Sequence, residues 1–141
     1  MVGRANEIFD GEAIVMVDAG RRHTACVTAK GILWTWGNGD FGWLGHGNRK
    51  PRQRQKPLGK AMYGGSPAVI MASVDNHSLM LMAVSLLWSC GFGYYGQLGH
   101  GDMAEKLVLT LVGVEGFRGG QIVMVEASGL HSVAVGAEGQ V

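Results

Sequence analysis

Five histidines, His23, His46, His77, His100 and His131, are the side chains here best equipped for chemistry, because neutral imidazoles gathered in one place bind zinc. Two glycine-rich runs, Gly37-Asn-Gly-Asp-Phe-Gly42 and Gly91-Phe-Gly-Tyr-Tyr-Gly96, both satisfy Gly-x-Gly-x-x-Gly, the pattern of a dinucleotide-cradling loop. A third candidate is a run of cations, Arg49, Lys50, Arg52, Arg54, Lys56 and Lys60, with no acid among them. It suits phosphates or an acidic protein surface, with an affinity that falls as salt rises. Since no aromatic residue interleaves it to stack an unpaired base, an acidic protein or a duplex backbone is favoured over a single strand.

Spacing decides among these chemistries. His23, His77 and His131 stand 54 residues apart (77 − 23 and 131 − 77), as do His46 and His100 (100 − 46). The segment that opens Trp34-Thr-Trp-Gly and closes Leu44-Gly-His-Gly47 returns at the same step, opening Trp88-Ser-Cys-Gly and closing Leu98-Gly-His-Gly101. The chain is a tandem array whose units bury their apolar faces only by stacking on one another. Histidines repeated in every unit are spread out rather than gathered, so each is expected to satisfy local backbone groups, and no metal is assigned. A dinucleotide loop needs a helix directly after it and an acid about 20 positions on. Here Gly45, Gly47 and Pro51 follow, and no Asp or Glu lies between Asp40 and Asp75. These runs are expected to be turns that need positive φ and close strand approach. No catalytic constellation stands outside the repeat, so the chain reads as a non-enzyme without a cofactor.

The elements that carry these residues are strands. Glycine supplies 24 of 141 residues, too many for a helical protein when each interior glycine costs about 1 kcal/mol relative to alanine. Apolar residues at 47%, charged residues at 16% and a net charge of +1 describe a globular chain. The longest apolar stretch, 79–88, falls short of the roughly 18 to 20 residues that span a bilayer, so no membrane span is expected. Cys26 and Cys90 do not occupy equivalent repeat positions, and the N-terminus lacks a secretory layout. The reading is a reduced, intracellular protein. Strands are predicted at 14–19, 24–28, 32–36, 68–74, 78–84, 86–90, 121–127 and 132–136, while 105–114 fits a helix or a strand. Residues 79–84 are apolar on both alternating faces, as in a strand covered from both sides. Trp34 and Trp88 read as packing between units. Because Ser85 replaces the turn glycine Gly31, the 84–87 connection is expected to be longer or bulged.

The signature Trp-Gly-x-Gly-x-x-Gly-x-Leu-Gly-His-Gly, preceded by Gly20-Arg-Arg-His23, resembles the repeat of the regulator of chromosome condensation family. Its positions are Trp34, Gly37, Gly42, Leu44, Gly45 and His46, then Trp88, Gly91, Gly96, Leu98, Gly99 and His100. No Trp-Asp dipeptide ends a strand, against the forty-odd-residue propeller repeats. The resemblance implies an all-β, seven-bladed propeller of four-stranded antiparallel blades around a channel. It also implies a non-enzymatic module that binds a protein partner. Two finer readings come with it: guanine-nucleotide exchange on a Ran-type small GTPase coupled to chromatin binding, or an accessory arc of a ubiquitin ligase. With repeats at 1–54 and 55–108 and a shortened third at 109–141, the chain holds about 2.6 units and is expected to be a fragment, an incomplete ring. An arc with open blade faces is expected to self-associate. Partner contacts are expected where the chain departs from the repeat, above all at the basic run, read as a loop.

Overall fold

The computed structural model describes residues 8–59, 64–113 and 121–141. Within them the short β-branched and apolar segments form β1 (Ile14–Ala19), β2 (His23–Thr28), β3 (Leu33–Gly37), β4 (Arg52–Pro57), β5 (Ala68–Ser73), β6 (His77–Met82), β7 (Leu87–Gly91), β8 (Lys106–Leu111), β9 (Ile122–Ser128) and β10 (His131–Gly136). They pair antiparallel into a first blade, β1-β2-β3-β4, a second, β5-β6-β7-β8, and a two-stranded third sheet, β9-β10. The register repeats with the sequence: Cys26 lies opposite Trp34 in blade 1 as Met80 lies opposite Trp88 in blade 2. This is an all-β arc of successive propeller blades.

Burial explains why the units need each other. Every residue of β6 is buried. One face of blade 2, with Met71, Met80, Met82 and Leu109, closes a core against Ala25, Val27, Leu33 and Leu58 of blade 1. The opposite face, with Leu79, Leu81 and Leu87, closes a second core against Ile122, Val125 and Ala127. A sheet apolar on both sides has to be sandwiched.

Three local expectations are corrected or resolved. The basic run is not wholly a loop: Arg52–Pro57 is the outer strand of blade 1, pairing through Trp34↔Pro57 and Thr35↔Lys56. Its lysine, arginines and proline suit an edge, where charge and a missing N–H discourage further pairing. Residues 105–114 resolve as a strand over Lys106–Leu111. The connection at 84–87 is neither longer nor bulged. Ser85 adopts φ +59° where Gly31 has φ +73°, and its N–H donates to Met82 O at 2.9 Å as that of Gly31 donates to Thr28 O at 2.8 Å. The flanking ladder fixes the hairpin, and serine accepts the left-handed conformation.

Candidate functional site

Both glycine runs are turns that leave their blade at the end of a strand. Gly37 and Gly91 hold φ +114° and +111°, and a Cβ at either would sit 2.6 Å from a backbone oxygen, that of Arg22 or Asn76. Gly42, Gly45, Gly96 and Gly99 also lie at positive φ, whereas Gly20 is excluded from a side chain by Val74 O, which a Cβ would meet at 2.6 Å. Leu44 and Leu98 are buried anchors of the turns. The first run ends in a single 3₁₀ turn, Asp40–Gly42, where a dinucleotide site requires a helix.

His23, His46, His77 and His100 are held by hydroxyls, not by the local backbone groups that the repeat had suggested. Thr35 Oγ1 donates to Leu44 O (2.8 Å) and lies 3.0 Å from His46 Nε2, and Ser89 Oγ donates to Leu98 O (2.8 Å) and lies 2.9 Å from His100 Nε2. A hydroxyl has one proton, so each imidazole donates from Nε2. The other pair works between blades. His23 Nε2 reaches Ser78 Oγ of blade 2 at 2.9 Å, and Ser78 Oγ donates back to Trp43 O of blade 1 at 3.0 Å. His77 Nε2 repeats the step to Ser132 Oγ at 2.8 Å. His131 is exposed. Burial pushes His23, His77 and His46 down to about 4, with the Arg52 and Lys56 charges adding to the effect at His46, and burial lowers His100 as well. Burial favours the neutral form of all four, and at His23, His46 and His100 the committed hydroxyl proton also fixes the tautomer. Cys26 and Cys90 are free and buried, and burial raises their thiols to about 11 and about 12. Among the described residues no three metal-capable side chains come together.

Arg49, Lys50, Arg52, Arg54 and Lys56 are dispersed along the rim of blade 1. Arg49 is engaged by Glu105 of blade 2 through both guanidinium Nε (3.2 Å to Oε2) and Nη2. Lys50, Arg54 and Lys56 are exposed, Arg52 is half-buried, and Lys60 lies outside the described residues. The strand bulges where Gly37 pairs with Arg52 although Thr35 pairs with Lys56. In blade 2 the equivalent bulge is filled: Gly47 N–H of blade 1 donates to Leu107 O at 2.9 Å and His46 bridges Val108. The bulge on β4 forms an open groove lined by residues 51–56.

The profile described as the regulator of chromosome condensation (RCC1) repeat matches residues 30–81 and 86–135, and a second profile of the same description matches 14–42. The chain belongs to the RCC1-repeat family. Against the ultraviolet-B receptor UVR8 of Arabidopsis thaliana it is 32% identical over 140 residues, 99% of this chain and 31% of the receptor. With the human E3 ubiquitin-protein ligase HERC2 it shares 36% identity over 139 residues, 98% of this chain and 3% of the ligase. The solved structure of Prp20p from Saccharomyces cerevisiae superposes with a TM-score of 0.75 at 21% identity, covering 89% of this chain and 31% of that one. The RCC1-repeat chain thus spans under a third of the length of these relatives.

Within the RCC1-repeat frame, two kinds of working residue escaped the sequence reading. Trp43 is fully buried, stacks on His23 with centroids 5.7 Å apart and donates its indole N–H to Asn38 O. Its repeat counterpart is Gln97, so comparing the copies with each other hides it. The hydroxyl partners Ser78, Ser132, Thr35 and Ser89 did carry a signal: Thr24, Ser78 and Ser132 each follow a repeated histidine, and Thr35 and Ser89 each follow a repeated tryptophan. Trp34 is buried with Phe9 edge-on to it at 5.3 Å, and half-buried Trp88 packs against the core between blades 1 and 2.

Proposed function

We propose that this chain is part of a non-enzymatic RCC1-repeat propeller that binds an acidic protein surface through the rim of blade 1. The observation that carries this is the row of cations on the outer strand β4, where Arg54 and Lys56 are exposed with Lys50 and half-buried Arg52 beside them. Opposite charge steers association and makes it salt-dependent. The test is binding of the chain to nucleosome core particles, a defined polyanionic assembly, at two salt concentrations. Arg54→Glu with Lys56→Glu is expected to weaken binding about tenfold and to flatten its salt dependence. Unchanged affinity in that variant would refute the assignment of the rim.

A second reading, guanine-nucleotide exchange on a Ran-type GTPase with chromatin binding, is supported by the likeness to Prp20p, a protein whose reported binding includes Gsp1p and histones. Accelerated release of labelled GDP from such a GTPase is its readout. The likeness to HERC2 supports the further alternative of an accessory arc in a ubiquitin ligase.

A further inference from the structure

Four aromatic rings meet where the 3₁₀ turn of blade 1 lies against the corresponding turn of blade 2. Phe41 packs edge-on against Phe92 at 4.9 Å, and Phe92 leans on Tyr94 at 4.7 Å and on Tyr95 at 5.7 Å. None of these rings belongs to the repeat signature. They stand at its variable positions, and Tyr94 and Tyr95 remain 53% and 66% exposed. Phe41 is held at φ +55°, a region disfavoured for side-chain-bearing residues, and its repeat counterpart Tyr95 does not share it. The turn as such does not demand that strain; it places one ring across the seam between blades.

Two of the rings border a cavity of about 370 Å³ lined by Asp40, Phe41, Arg49 and Tyr94. Arg49 is neutralised there by Glu105, both of whose carboxylate oxygens face the guanidinium. Asp40, which is exposed, has a carboxylate with no hydrogen-bond or ion-pair partner among the described residues. The walls therefore offer aromatic faces and one uncompensated negative charge. A cation with a flat or extended apolar stem satisfies both, through its attraction to the ring quadrupole and to the carboxylate. We propose that this pocket receives an arginine or lysine side chain from a segment of a partner protein, at a site that shares with the basic run only Arg49, already paired with Glu105, and does not include Arg54 or Lys56.

The probe is a fluorescent glycine-serine peptide carrying three arginines, read by anisotropy against the full chain, with glutamine and glutamate versions alongside. The arginine peptide is expected to bind, the other two not. Tyr94→Ala and Asp40→Asn, both at exposed side chains, are each expected to weaken binding about tenfold. Tyr94→Phe should retain it, since the ring and not the hydroxyl meets the cation. Equal binding of the glutamine peptide would overturn the proposal, as would wild-type affinity in both variants. Preference for the glutamate peptide would assign the pocket to Arg49 and an anion instead. Charge reversal at Arg54 and Lys56 probes the rim separately, so failure of one site leaves the other standing.

Discussion

A buried imidazole that meets a hydroxyl of the next blade through one nitrogen and keeps the other bare is useful to a fold only while it stays neutral. His23 and His77 are 2% and 0% exposed, their Nδ1 atoms have no partner among the described residues, and burial holds both at about 4, below the usual 6.5. Acid therefore favours the unfolded chain. Between about pH 6.5 and pH 4 the unfolded histidines take up protons that the folded ones refuse, so stability is complete above that window and falls as pH drops through it. Each residue contributes on the order of 3 kcal/mol to that loss. Urea midpoints at neutral pH and near pH 5 should show the decline, and His23→Gln with His77→Gln should make it shallower. A midpoint independent of pH would refute the neutral brace. The positions of these histidines were legible from their spacing. Their bonding was not, because Nε2 meets a hydroxyl more than fifty residues away, a juxtaposition only the stacking of blades creates.

At the scale of the element, strands rich in valine, leucine and methionine declared themselves, while β4 did not. Arg-Gln-Arg-Gln-Lys-Pro has no apolar alternation, and it is a strand because β3 offers it an edge, which is tertiary context rather than local propensity. Its counterpart β8, Lys-Leu-Val-Leu-Thr-Leu, is ambiguous for the opposite reason, since its leucines suit a helix as readily. The hairpin at Ser85 misled in a third way: a missing glycine suggested a different turn, yet the ladder on both sides kept the same one. Its cost is testable. A left-handed serine is disfavoured by about 1 to 2 kcal/mol, offset in part by the roughly 0.5 to 1 kcal/mol of backbone entropy that glycine forfeits. Ser85→Gly is expected to stabilise the chain by about 0.5 to 1 kcal/mol, seen as a higher denaturation midpoint. Destabilisation would mean that the serine side chain contributes more than the strain removes.

For the molecule as a whole, blade 2 is the sheet whose two faces are both covered, one by blade 1 and the other by the third sheet. Met71 and Leu79 are 5% and 2% exposed between blades, whereas the equivalent Val17 and Val133 are 64% and 44% exposed. Apolar surface matched in shape to a partner's blade face drives association. The isolated chain is expected to sediment as species larger than a monomer, and Val17→Asp with Val133→Asp to shift it toward the monomer. A single monomeric boundary in the unmodified chain would contradict this. The links between blades have, moreover, a direction. His23 reaches forward to Ser78 and His77 forward to Ser132, each crossing one unit plus one residue. An array wired in this way has a leading and a trailing edge, like links that hook only one way round. Whole units can be gained or lost by duplication or deletion with every hook still meeting its eye, whereas a slip of one residue would unfasten the seam. The grammar of the repeat thus tolerates changes in the number of blades and forbids changes in their phase.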